Sequence, residues 1–323
     1  MTFLNYALER MVEPNNLLVK IESIIDWIDL SSLLDKKLGA NAKSVAGQES
    51  YNYLAMFKIL LLQQWHTLSD PKMEDALKTR IDFMWFTGFG LANKDFLVPD
   101  ETTICRFRNK LVKRRLLDKL LIKVNKQLER NNLKVSITKG AILDATLIEA
   151  AVNSNAKPNV ILEDRKEDDD IDGSGESSTQ VLLSANEQSD VEIDKDAKWL
   201  KKGGKNIFGY KNFVTTDTTD GYIEAVDITP ANVSEVRHMK NALDKVMKKS
   251  PNVLYTDKGY ASNENVEFLK QNDIGNGIMD KAARNRALTA KQIYRNKRIS
   301  KTRYIVERTN ATMKNIFKFT KTK

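Results

Sequence analysis

From about residue 15 to 132, apolar positions recur every three or four residues. Tyr53, Leu54, Phe57, Leu60, Leu61 and Trp65 form one such stripe, the pattern of a helix with one face turned to a core. Ser69, Asp70 and Pro71 interrupt it, with Asp70 read as an N-cap and Pro71 as the first helical residue. Pro99 and Asp100 then open a helix that continues through Arg106, Arg108, Lys110, Lys113, Arg114 and Arg115, with Leu111, Leu117, Leu120, Leu121 and Val124 at its apolar positions. A short helix, a turn and a basic helix are the parts that dock in a major groove. A solvated basic face is the competing reading of the same residues.

After Gly140 the period changes. Residues Ala141 to Ile148 read as a buried strand with Asp144 inside the apolar run. Phe208 to Thr216 and Tyr222 to Ile228 read as paired strands joined by the turn Asp217 to Gly221. Val236, Met239, Leu243 and Val246 predict a helix over 235–249, and Val253 to Asp257 a short strand that ends at Gly259. A helix over 263–272, a strand from Gly275 to Met279 and a long basic helix or helix pair from about 289 complete the chain. A meander followed by strands alternating with helices predicts an α/β sheet. No internal repeat is evident, which excludes a solenoid.

The 323 residues suit two domains, and 41% hydrophobic with 29% charged residues excludes wholesale disorder. One cysteine, Cys105, excludes a disulfide framework, and two histidines, His66 and His238, argue against a His-ligated metal centre. The opening MTFLNYALERMVEPNN lacks the basic and apolar regions of a leader, and the most apolar stretch, Ile59 to Leu62, is far short of a membrane span. A soluble protein of a reducing compartment, the cytoplasm, is expected. The net charge of +9 favours a polyanionic partner, nucleic acid first, but it is unevenly spread. Residues 153–200 hold 13 acids against 5 bases, whereas 281–323 hold 14 Lys or Arg and a single acid, Glu307. The segment EDRKEDDDIDGSGESSTQ has no aromatics and no period, so an acidic, disordered insert is expected at about 155–196.

Three acids call for a reason. Asp is poor in strands and costly to bury ionised, yet Asp144 lies inside one apolar strand and Asp257 ends another. Glu307 shares a helix face with Arg303, four residues before it, and Lys314, seven after it. Two strand carboxylates and one helix carboxylate can meet above a sheet edge, and a divalent cation with hard oxygen preference relieves their repulsion. Taken alone, any one of these acids is more often a capping or surface group, so composition does not select the triple.

The chain resembles a bacterial DDE transposase of the insertion-sequence-five (and insertion-sequence-four-like) group over most of its length. The carrying segments are YNYLAMFKILLLQQWHTLSDPKMEDALKTRIDFMWFTGF with VPDETTICRFRNKL, then ILDATLIEAA, then DKDAKWLKKGGKNIFGYKNFVTTD through ITPANVSE, then VLYTDKGYAS. Finally RYIVERTNATMK has the family's spacing of Arg, three residues, Glu, six residues, Lys. The resemblance implies an all-α N-terminal DNA-binding domain over 1–132 and an α/β ribonuclease-H-like catalytic domain over 133–323. It implies Asp144, Asp257 and Glu307 as catalytic ligands of Mg2+ or Mn2+, two ions in all, with Arg303 and Lys314 on DNA phosphate. Arg106, Arg108 and Lys110 are the candidates for recognising terminal inverted repeats. The implied partners are double-stranded DNA (element ends and target) and a second copy of the chain or more, with no membrane, in a cytoplasmic, nucleoid-associated protein. The family's frequent Tyr three positions before the Arg is Ser300 here. Relatives usually continue well past the Glu helix, whereas this chain stops 16 residues after Glu307. An uncovered apolar stripe of Val306, Met313, Ile316 and Phe317 is therefore expected. Two alternatives stay open: a truncated relative that binds ends and represses transposition, and a ribonuclease-H-like nuclease that cuts without joining.

Overall fold

The computed structural model describes residues 10–39, 51–89, 98–135, 139–150, 194–247, 251–283 and 285–322, with the backbone of 159–160 and 183–184. The chain divides into two compact units, Met1–Ser136 and Ile137–Lys323, a few residues beyond the boundary read from the sequence.

The described residues of the first unit form helices and no strand: α1 (Leu17–Ile24), α2 (Trp27–Leu38), α3 (Tyr53–Trp65), α4 (Asp70–Thr79), α5 (Ile81–Thr87), α6 (Glu101–Lys113) and α7 (Leu117–Arg130). Short polar side chains satisfy the first amides of four of them, Asn16, Asp26, Asn52 and Asp100 each accepting from one or two N–H groups of the following turn. Leu30, Leu34, Ile59, Leu62, Met73, Leu77, Phe83, Ile104 and Leu111 are fully buried in one core. The N-cap of α4 is Ser69 and not Asp70, which is the first helical residue. The Asp70 carboxylate goes instead to the Arg108 guanidinium and to Gln63, because a charge-assisted pair outweighs a bond to one backbone amide.

The second unit holds β1 (Ala141–Glu149), β2 (Lys198–Lys202), β3 (Lys205–Asp217), β4 (Ile223–Pro230), α8 (Glu235–Asp244), β5 (Val253–Thr256), a 3-10 turn (Lys258–Tyr260), α9 (Asn263–Gln271), β6 (Gly275–Ile278) and α10 (Ala290–Asn315). The sheet runs β4-β3-β1-β5-β6, with β2 paired to the first half of β3. The pairs β1–β3 and β3–β4 are antiparallel, and β1–β5 and β5–β6 are parallel. An antiparallel meander continued by two parallel strands is the order that the ribonuclease-H-like expectation requires. Gly203 and Gly204, with φ of 57° and 74°, make the two-residue β2–β3 turn, whose twist needs positive φ at both centres. The expected helix over 235–249 ends early, at Asp244. The acidic insert lies outside the described residues, apart from a short antiparallel pairing of Asn159–Val160 with Leu183–Ser184 and residues 194–196.

Alternation along β1 sends Ala141 and Leu143 into a core with Met239, Leu243, Leu254 and Leu269 of α8, β5 and α9, and sends Asp144 to the opposite face. Over that face lies α10, held at its start by a capping box between Thr289 and Gln292. Thr309 pins it farther along by donating to the Gly221 carbonyl at 2.8 Å. Gly221 sits at φ 77°, and a Cβ there would come within 2.8 Å of Ile305, so the β3–β4 turn can approach the helix only as glycine. Of the expected apolar stripe, Val306 is buried, Met313 and Phe317 are half-buried and Ile316 is exposed. Beyond the helix the chain returns to the end of β1, where Glu149 exchanges backbone hydrogen bonds with Thr320 and Thr322 at 2.9 and 2.7 Å. No helix among the described residues is long and apolar enough to cross a membrane.

Candidate active site

The parallel register sets Ala141 opposite Leu254 and Ile142 opposite Tyr255. Asp257 follows the end of β5 as the cap of the 3-10 turn, and its charge acts on Asp144 of the neighbouring strand. Asp144 Oδ1 accepts from Arg303 Nη2 at 3.0 Å and Oδ2 from Asn310 Nδ2 at 2.8 Å, both from α10. Burial lifts its carboxyl above the usual range; the Arg303 guanidinium opposes this, while Asp257 and Glu235 add to it. Asp257 caps the 3-10 turn, its Oδ1 accepting from the Gly259 N–H at 2.8 Å.

Glu307 follows Arg303 by one helical turn, so one guanidinium reaches both acids. Its carboxylate is 3.9 Å from Arg303 Nη1, with a side chain 53% exposed. Among the described residues no three His, Cys, Asp or Glu side chains close into a metal-holding group. Each acid is turned to a protein partner, Asp144 to Arg303 and Asn310, Asp257 to Gly259, and Glu307 to Arg303. Lys314, half-buried, follows on the same face of α10.

Several residues absent from the sequence reading lie at this site. Glu235, the first residue of α8, is 3.3 Å from the buried Lys211 of β3. Lys211 also donates to the Val233 carbonyl at 2.8 Å, and burial lowers its ammonium against the pull of Glu235. Tyr260 is fully buried, its hydroxyl has no partner among the described residues, and burial with Glu235, Asp144 and Asp257 pushes the phenol well up. Asn310 Oδ1 and Arg303 Nε are likewise buried without a partner among the described residues. Asn310 had a signal in its spacing, seven residues after Arg303 and on the same helix face. Lys211 and Glu235 had none, because only the folded sheet brings β3 and α8 to Asp257.

The basic helix of the first unit divides differently from the expectation. Arg106 is exposed. Arg108 is committed to Asp70 and to Gln63, the latter at 2.8 Å. Lys110 donates to the Tyr53 hydroxyl at 2.9 Å and lies over its ring. Both follow from the packing of α6, which buries Ile104, Phe107 and Leu111 and so lays the flanking Arg108 and Lys110 along α4 and α3. Lys113, Arg114 and Arg115, at the helix end and the turn beyond it, are exposed.

A meander extended by parallel strands, with one acid inside the central strand under a helix and another just past the end of the neighbouring strand, is the architecture of a ribonuclease-H-like domain. Residues 136–323 match the family described as Transposase DDE domain, and residues 6–110 the one described as Transposase domain (DUF772). The transposase for insertion sequence element IS1106 of Neisseria meningitidis serogroup B is 39% identical over 214 residues, 66% of this chain and 67% of that protein. Among solved structures, a piggyBac transposase synaptic complex with hairpin DNA is 11% identical over 80% of this chain and 47% of its own, at a TM-score of 0.31. The Mos1 strand transfer complex is 9% identical over 87% of this chain and 80% of its own, at a TM-score of 0.23. The chain belongs to the DDE transposase family and is a bacterial DDE-type transposase.

Proposed function

We propose that the chain serves an insertion sequence of the insertion-sequence-five group, cutting and joining DNA at a site held by Asp144, Asp257 and Glu307. The observation that carries this reading is Asp144, an acid inside a buried central strand, in the electrostatic reach of Asp257 and linked through Arg303 to Glu307. The donors are all oxygens, which fits Mg2+ or Mn2+ and not a soft metal. Held there by Asp144, Asp257 and Glu307, two such ions would supply an activated oxygen nucleophile and charge stabilisation for the leaving oxygen.

The chain's own residues do the positioning. Arg303 and Asn310 fix both oxygens of Asp144, so that the buried carboxylate is held in one orientation. Along the outer face of α10, Tyr294, Lys297, Arg298, Lys301, Tyr304 and Arg308 are exposed, a basic stripe with two aromatic rings suited to a phosphate backbone. Lys314 extends it beside Glu307. In the first unit, Arg106 with Lys113, Arg114 and Arg115 offers the exposed charge for the terminal inverted repeats, in place of Arg108 and Lys110. An element has two ends to bring together, which favours a homodimer or larger assembly on DNA, in the cytoplasm at the nucleoid.

The test is a DNA fragment carrying both element ends, incubated with the purified chain and Mg2+. Joined products are expected from the wild type, and binding without cutting from Asp144→Asn and Asp257→Asn. Metal-dependent cutting by either variant refutes the assignment. Cut products without joining would instead make the chain a nuclease, and wild-type binding alone an end-binding repressor.

A further inference from the structure

We propose that Glu235 is a fourth carboxylate of the metal site, held ready by Lys211. The inference rests on the reading of Asp144 and Asp257 as metal ligands.

Three observations carry it. The first is direction. Glu235 occupies the first turn of α8, where a helix welcomes an acid for its dipole alone. Such an acid has no need to turn inward, yet this side chain is 21% exposed and lies against Lys211. A Cβ placed on Gly259 would meet Glu235 Oε2 and Asp257 Oδ1, each at 2.9 Å. Both carboxylates therefore crowd the same glycine, and only the absent Cβ permits it.

The second is charge. Asp144, Asp257 and Glu235 lie in one another's electrostatic reach, with Arg303 against Asp144 and Lys211 against Glu235. Like charges so close repel, and a divalent cation with hard oxygen preference relieves that repulsion. Lys211 reaches Glu235 from β3 while anchored on the Val233 carbonyl, so it fixes the carboxylate's position.

The third is the Tyr260 hydroxyl. It is fully buried, has no partner among the described residues, and lies in the electrostatic reach of Glu235, Asp144 and Asp257. A buried hydroxyl left unbonded costs free energy, and the charges acting on this one are carboxylates of the same site. A hydrated cation held by those acids brings water that such a hydroxyl can bond.

The experiment measures Mn2+ binding to the full chain without DNA at pH 8, by the electron paramagnetic resonance signal of free Mn2+. Wild type, Glu235→Gln, Asp144→Asn and Lys211→Met are compared, with melting curves as the check on folding. Glu235→Gln and Asp144→Asn are each expected to weaken Mn2+ binding about tenfold or more, and Lys211→Met to tighten it by removing the competing cation. Wild-type affinity in Glu235→Gln alongside loss in Asp144→Asn overturns the role of Glu235 and leaves the site reading standing. Wild-type affinity in both overturns the site reading itself. If Glu235→Gln does not fold, Lys211→Met decides the matter, since unchanged or weaker binding there refutes the pairing of Lys211 against the ion.

Discussion

Replacing Arg303 by Met isolates what the α10 guanidinium does for the catalytic strand. Its side chain is 12% exposed and that of Asp144 18%, at 3.0 Å, so water screens the pair little. Removing one partner of a buried ion pair costs about 3–5 kcal/mol, because the other charge is left uncompensated. Asn310 still donates to Asp144, which puts the expectation at the low end, about 3 kcal/mol. In a unit of this size each kcal/mol moves the melting temperature by roughly 2–4 °C, so a fall of about 10 °C is expected at pH 8. The sign with pH follows from the carboxyl. Burial already raises the folded Asp144 above its ordinary value, and loss of Arg303 raises it further. The penalty of an ionised Asp144 is thus present above that raised value and is relieved as pH falls through it. The Arg303→Met deficit should therefore shrink on acidification, and Asp144→Asn should remove most of it at pH 8. Calorimetric melting of the wild type, both single variants and the double variant, at several pH values, gives the full cycle. Equal deficits in Arg303→Met and the double variant, or a deficit independent of pH, would refute the argument.

Two further outcomes follow from single side chains. Gly259→Ala places a methyl group 2.9 Å from both Asp257 and Glu235 oxygens, so strand cleavage should fall at least tenfold while the melting temperature moves by only a few degrees; undiminished cleavage would mean that the crowding has no bearing on catalysis. Arg108→Gln should lower stability by about 1 kcal/mol, as a partly exposed pair does, and leave binding of the element ends unchanged. The triple change of Lys113, Arg114 and Arg115 to Gln should instead weaken end binding and flatten its salt dependence, by about 0.9 in slope for each phosphate no longer neutralised; the reverse pattern in a salt titration would return Arg108 to the DNA interface.

Most elements were legible in the pattern of apolar positions, because a helix stripe and an alternating strand are local properties. The helix at 53–65, the strand from 141, the hairpin before 230 and the long basic helix from about 289 all follow from spacing within a few residues. Asp144 also announced itself, since an acid inside an apolar strand is costly unless something meets it. What the sequence could not contain was the partner. Whether Arg303 meets Asp144, whether Asn310 completes it, and whether Glu235 and Lys211 join Asp257 depend on the register of β1 against β5 and on the seating of α8 and α10. Those are contacts between residues as far apart as 144 and 310. The same holds for Arg108 and Lys110, which composition presents as free charge and packing commits to Asp70, Gln63 and Tyr53. Local periodicity determines which face of each element is apolar. Only the packing of those faces decides which polar side chains are brought within hydrogen-bond reach, because such a bond forms over about 3 Å and no sequence separation measures that distance.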